Sequence, residues 1–183
     1  MILWDRVVLR RKKIPHRARR GQSTGNTEKK RKDAMRVLVP EGSEFGAKNG
    51  TDPISEILQK CRTIAVVGLS SNPMRPSHAV SEYMQRAGYR IIPVNPNEME
   101  VLGEKSYARL EDVPEKIDVV NIFRRADEVS PIVESAIRVG TQVVWMQLGI
   151  ENEVAAEKAR EAGLAVVEDA CILVEHRKRG IGR

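Results

Sequence analysis

"TIAVVGLSSNPMRPSHAV", residues 63–80, runs an apolar strand into a polar turn and then into a helix. Such strand–turn–helix units place backbone N–H groups and a helix N-terminus at one point, which is how chains cradle phosphate. Against the dinucleotide pattern G-x-G-x-x-G, the stretch keeps Gly68, puts Ser70 at the second glycine and Pro73 at the third. The second glycine lets backbone approach a pyrophosphate and the third lets helix approach strand, so the dinucleotide fingerprint is broken. What remains suits phosphate: N–H groups of the turn, the hydroxyls of Ser70, Ser71 and Ser77, the cation Arg75, and a helix opened by Pro76 or Ser77.

Outward from this unit the chain alternates. "TDPISEILQKC" (51–61) predicts a short helix capped by Thr51 or Asp52, with Ile54, Ile57 and Leu58 on one face. A helix over 77–87 stops at Gly88, and "YRIIPV" (89–94) reads as a second strand. "DVVNIF" (118–123), a helix over 127–139 ending at Gly140, "QVVWMQL" (142–148), a helix over 152–162 ending at Gly163, and "LAVVED" (164–169) complete the series. Strands apolar on both faces, separated by amphipathic helices that end at glycine, predict an α/β doubly wound parallel sheet of about five strands. Trp145 and Met146 are expected in its core.

The 183 residues carry a net charge of +6, unevenly placed. Residues 1–36 hold 13 Lys/Arg against three acids, leaving 18 basic and 22 acidic residues from 37 onward. The basicity therefore belongs to the N-terminal tail. Too polar and too like-charged to bury itself, the tail reads as a disordered extension over 1–50, with 37–50 as linker, ahead of a single domain over 51–183. Three readings of the tail stand: a dispensable extension upstream of a working start at Met35, an unspecific basic tail, or a nucleic-acid arm. No apolar run is long enough for a bilayer crossing, and the two cysteines, Cys61 and Cys171, lack metal spacing. A cytoplasmic protein with reduced thiols and no metal is expected.

In doubly wound sheets ligands lie beyond the carboxyl ends of the strands, so the remaining strand exits are the places to inspect. After the second strand come Val94, Asn95 and Pro96, where a NAD site would have Asp or Glu for the ribose hydroxyls. After the third, Phe123 and Arg124 offer a ring for a base and a fork for phosphate, unless Asp127 and Glu128 neutralise Arg124 and Arg125. Gln147 and Gly149 line the same edge at the fourth. Candidate chemistry reduces to Cys171, His176, Glu175, Asp169 and His78. Cys171 and His176 are five apart, off one helical face, so a packed Cys171 and a local His176–Glu175 pair are expected rather than a nucleophile and base. A mixed disulfide of Cys171 with a thiol ligand is the redox variant.

The run G-x-S-x-x-P-x-R-P-S at 68–77, the Asn-Pro at 95–96, "DVVNIFRRADEV" (118–129), "VVWMQLGIENEVAAEKAREAGLAVVEDAC" (143–171) and "VEHRK" (174–178) resemble the small CoA-binding proteins of the YccU-like group. The likeness covers nearly all of 52–178. These are Rossmann-type domains similar to the CoA-binding domain of the succinyl-CoA synthetase alpha subunit, and nothing here corresponds to the synthetase's ligase machinery. The resemblance implies coenzyme A or an acyl-CoA as ligand. Gly68, Ser70, Pro73, Arg75 and Ser77 would cradle phosphate, Val94, Asn95 and Pro96 would flank the adenosine, and Phe123 and Arg124 would border the site. Members of the group often carry Arg and Lys where this chain has Ala170 and Leu173. The expected function is a carrier or sensor of CoA without turnover. The alternatives are an oxidoreductase-like NAD(P) binder and a nucleic-acid-associated protein acting through residues 1–36.

Overall fold

The computed structural model describes residues 35–46 and 51–182. The expectation of disorder over residues 1–34 lies outside the described residues. Six strands form one sheet in the order β1-β8-β7-β6-β2-β3. They are β1 (Arg36–Leu38), β2 (Thr63–Val67), β3 (Arg90–Val94), β6 (Val119–Ile122), β7 (Val143–Met146) and β8 (Ala165–Glu168). β4 (Glu100–Val101) and β5 (Glu104–Lys105) make a separate antiparallel ribbon. All pairings among β2, β3, β6, β7 and β8 are parallel, and these are the five strands expected from the sequence.

The sixth strand corrects the reading of 37–50 as linker. β1 pairs antiparallel with β8, Arg36 opposite Glu168, and Phe45 is buried in the core. A three-residue strand carries no periodicity of its own, and its partner lies some 130 positions along the chain, so neither local pattern nor turn chemistry could announce it.

Among the described residues five α-helices cover the sheet: α1 (Pro53–Lys60), α2 (Pro76–Arg86), α3 (Val129–Arg138), α4 (Glu153–Glu161) and α5 (Ile172–Lys178). Asp52 caps α1, its carboxylate accepting from the N–H groups of Ile54 and Ser55. Asn152 caps α4 through the N–H of Ala155. Strand alternation sorts the core into two layers. Ile64, Val66, Ile91, Val119, Val143 and Trp145 pack with α1, α2 and α5, while Ala65, Val67, Ile92, Val120, Val144 and Met146 pack with α3 and α4. Trp145 is fully buried and its indole N–H donates to the Ala170 carbonyl at 2.7 Å, which fixes the passage from β8 into α5. The helix α5 was not foreseen. Its clamp is tertiary: Arg179 pairs with Glu175 and with the capping carboxylate Asp52, tying the end of the chain to the start of α1.

In chain order β3 lies on one side of β2 and β6 on the other. The connections that leave the carboxyl ends of β2 and β6 run to α2 on one face and α3 on the other, and so diverge and open a crevice between them.

Candidate functional site

The same alternation that builds the core aims the strand exits. Continuing β2, β3, β6 and β7 by one residue puts Gly68, Asn95, Phe123 and Gln147 on the α1/α2/α5 face. All four line a cavity of about 760 Å³. Arg75, Pro76, Ser77 and Val80 from the start of α2 form one wall, with Ser70 beside them. Arg124 and Arg125 form another, and Leu148, Ile150 and Cys171 close the far end.

Gly68 is required by both conformation and space. Its φ is +88°, and a Cβ there would stand 2.8 Å from the Phe123 carbonyl oxygen and 3.3 Å from Arg124 Nε. Its N–H donates to the Val94 carbonyl at 2.9 Å while the Phe123 N–H donates to the Val67 carbonyl at 2.9 Å, so the three central exits are stitched together. The Arg124 side chain lies across this glycine, which brings a guanidinium over the mouth of β2.

The turn after Gly68 differs from expectation in one respect. Its N–H groups are already taken by its own neighbourhood: Ser70 N–H by Ser77 Oγ at 3.3 Å, Asn72 N–H by Ser70 Oγ at 3.2 Å, and Met74 N–H by Asn72 Oδ1 at 2.9 Å. The Ser71 N–H and hydroxyl both donate to Glu98 Oε1, at 2.9 and 3.0 Å. The reading of a turn that offers open N–H groups is thus corrected: short polar side chains at 70, 72 and 77 fold back on the backbone, as Ser and Asn do in turns. At α2 the first residue is Pro76, and no side chain caps the helix, so its N-terminal dipole faces the cavity uncapped.

Charge separates the arginines. Among the described residues the guanidinium groups of Arg75 and Arg124 have neither an ion pair nor a hydrogen bond, with Arg124 half-buried. Arg125 pairs with Asp127 at 3.0 Å and Glu128 at 3.7 Å, so neutralisation by those two acids holds for Arg125 and not for Arg124. Asn95 is buried and spans the crevice, its amide donating to the Leu69 carbonyl at 2.9 Å while its oxygen accepts from the Asn97 N–H at 3.1 Å. Gln147, also buried, donates to Asn121 Oδ1 at 2.9 Å.

Four named residues stand outside this cavity. Val94 turns to the other face of the sheet, because it precedes Asn95 by one; with Val67, Leu110, Pro131 and Ile132 it lines a second recess of about 280 Å³. Pro73 and Pro96 are exposed in their loops. Gly149 holds the turn after β7, where its N–H donates to Asp169 Oδ1 at 2.6 Å. Cys171 is half-exposed and lines the cavity at the start of α5 instead of lying beneath the sheet edge. His176 does not pair with Glu175. It is buried with Nδ1 3.0 Å from the Tyr83 hydroxyl and lies edge-on to Tyr83 and Tyr89, whereas Glu175 binds Lys178 and Arg179. Burial raises the Glu175 carboxyl, and those two cations outweigh it, leaving it below the usual range. Val80, Leu148, Ile150 and Glu98 were missed. Val80 sits one turn beyond Ser77 on α2 and was findable from helical spacing, whereas the others depend on which loops face each other.

Among the described residues no helix is long and apolar enough to cross a membrane, and no group of His, Cys, Asp and Glu could hold a metal ion. An uncharacterised protein of Bacillus subtilis (strain 168), YneT, is 46% identical over 123 residues, 67% of this chain and 91% of that protein. A hypothetical protein from Pyrococcus horikoshii OT3 of known structure is 40% identical with a TM-score of 0.68, over 74% of this chain and 94% of its own. The dinucleotide-forming acetyl-coenzyme A synthetase 1 of Ca. Korarchaeum cryptofilum, solved with phosphate and ADP, aligns at 26% identity and a TM-score of 0.51, over 57% of this chain and 25% of the synthetase. The family described as CoA binding domain matches residues 62–177, well over half of the chain, and the protein belongs to that family.

Proposed function

We propose that the protein binds coenzyme A or an acyl-CoA at the exits of β2, β3 and β6 and acts as a carrier or sensor of CoA without turnover. The observation that carries this reading is the pair Arg75 and Arg124. Two guanidinium groups without carboxylate partners among the described residues flank one cavity, with the Ser70 and Ser77 hydroxyls and the uncapped start of α2 between them. Guanidinium forks and helix N-termini favour phosphate, and a ligand with a diphosphate and a further phosphate matches more than one such group.

The recess on the opposite face has an apolar wall of Val67, Val94, Leu110, Pro131 and Ile132, with Arg109, Glu111, Ser135 and Arg138 also lining it. In the proposed pose it receives the adenine, while the phosphates lie over Gly68 and the pantetheine arm extends toward Leu148, Ile150 and Cys171. Asn95 and Pro96 border the adenosine where the chain crosses from one side to the other. That the matching quarter belongs to an acetyl-coenzyme A synthetase is in keeping with a ligand of the CoA class. The absence of turnover is supported by the engagement of His176 with Tyr83, which leaves Cys171 without that imidazole as base.

Isothermal titration of CoA, acetyl-CoA, NAD and ATP into the protein tests this. Saturable CoA binding that weakens in Arg75→Ala is expected. Heat from NAD alone, or CoA binding indifferent to Arg75, would overturn it.

A further inference from the structure

The turn after β2 contains its own anion. Ser71 gives both its N–H and its hydroxyl to one oxygen of Glu98, at 2.9 and 3.0 Å, joining the turn after β2 to the loop that follows β3. Those hydrogen bonds, the Ser71 N–H first, hold the Glu98 carboxyl below the usual range, so it is an anion at neutral pH. The other N–H groups of the turn go to neutral oxygens of Ser70, Asn72 and Ser77, which makes Glu98 the single charged acceptor bonded to residues 70–74 among the described residues.

No cation is paired with Glu98 among the described residues, although an arginine, Arg75, stands in the same turn without a partner. Ion pairing therefore does not account for the carboxylate. It meets instead donors of the kind that bind phosphate: a backbone N–H and a serine hydroxyl in a turn leading to a helix N-terminus.

We propose that Glu98 is an internal competitor for the phosphate loop, occupying the Ser71 donors in the empty protein and setting ligand affinity by repelling and yielding to an incoming phosphate. This rests on the function proposed above. Glu98 thereby weakens binding of polyanionic ligands while keeping the loop ordered when the site is empty. Ligands without phosphate should be insensitive to it.

Titration of CoA into the full chain, Glu98→Gln and Glu98→Ala separates the roles. Gln keeps an amide oxygen for Ser71 and removes the charge, and Ala removes both. Competition predicts CoA binding about three- to tenfold tighter in both variants, the size expected for one removed like charge near a partly exposed site. The gain should shrink on passing from about 0.05 M to about 0.5 M NaCl as screening shortens to a few ångströms. CoA binding by the wild type with Glu98→Gln unchanged or weaker overturns the inference alone and makes Glu98 a brace between two loops. No CoA binding by the wild type or either variant overturns the proposed function and this inference with it.

Discussion

Arg36 and Arg75 sit on the same sheet with opposite surroundings. Arg36, on β1, faces three carboxylates: Glu157 at 3.1 Å, Glu153 at 3.6 Å and Glu168, almost fully buried, at 3.7 Å. Among the described residues Arg75, between β2 and α2, faces none, and neither does Arg124 across the crevice. The first edge is closed by its own charges. The second is left with positive charge that the protein does not neutralise, the condition expected of a site that awaits an anion. The difference teaches that a cation's environment, and not its presence, separates a structural clasp from a ligand contact. It also explains why Arg125, paired with Asp127 and Glu128, belongs with Arg36.

The contrast can be broken most forcefully at Gly68. Gly68→Val forces a β-branched residue into a φ of +88° and against the Phe123 carbonyl, so a loss of roughly 2–4 kcal/mol is expected in chemical denaturation, together with loss of CoA binding. A variant of wild-type stability would show that the exits are not stitched as described.

Arg75→Ala and Arg124→Ala sharpen the comparison by separating binding from folding. Each should weaken CoA about tenfold to a hundredfold, the worth of one or two charge-assisted hydrogen bonds, while the melting temperature stays within about a degree. A marked fall in stability with unchanged affinity would place these arginines on the structural side.

Arg36→Ala is the reciprocal test. Leaving Glu168 buried without its cation should cost about 1–2 kcal/mol and leave CoA affinity within twofold. Weakened binding would join the two edges into one site.

The smallest effect is a pH slope. Burial raises the Glu168 carboxyl above its usual 4.5, opposed by the Asn152 N–H and by Arg36. A raised carboxylate pKa means the folded state holds the proton more tightly than the unfolded one. This contribution is therefore present at low pH and is lost as pH rises from about 4.5 through the raised value. Relative to Glu168→Gln, the wild type should lose ground over that window, and the loss should steepen in Arg36→Ala. Parallel stability curves for wild type and Glu168→Gln would remove Glu168 from the account.

Much of this was legible in the chain, and for identifiable reasons. Runs such as "TIAVV" and "VVWM" are apolar on both faces, which only a sheet covered on both sides can satisfy, and the helices between them end at Gly88, Gly140 and Gly163. Reading the strand exits also named Gly68, Asn95, Phe123 and Gln147, although only the folded sheet shows that they share one face. Val94, read together with Asn95 at one strand exit, stands on the other face of the sheet, because one residue along a strand reverses the face. His176 was paired with its sequence neighbour Glu175, although its partners, Tyr83 and Tyr89, lie on other elements.

The sequence by itself determined the parallel sheet and which residue types stand at its strand exits. Both follow from short-range periodicity and side-chain chemistry. Only the tertiary structure decided that β1 completes the sheet, that Arg124 is left unpaired while Arg125 is neutralised, and that Glu98 occupies the Ser71 donors. The first and the last depend on contacts between residues 132 and 27 positions apart, whereas the acids that neutralise Arg125 are two and three residues away, and only the fold selects Arg125 over Arg124 as their partner.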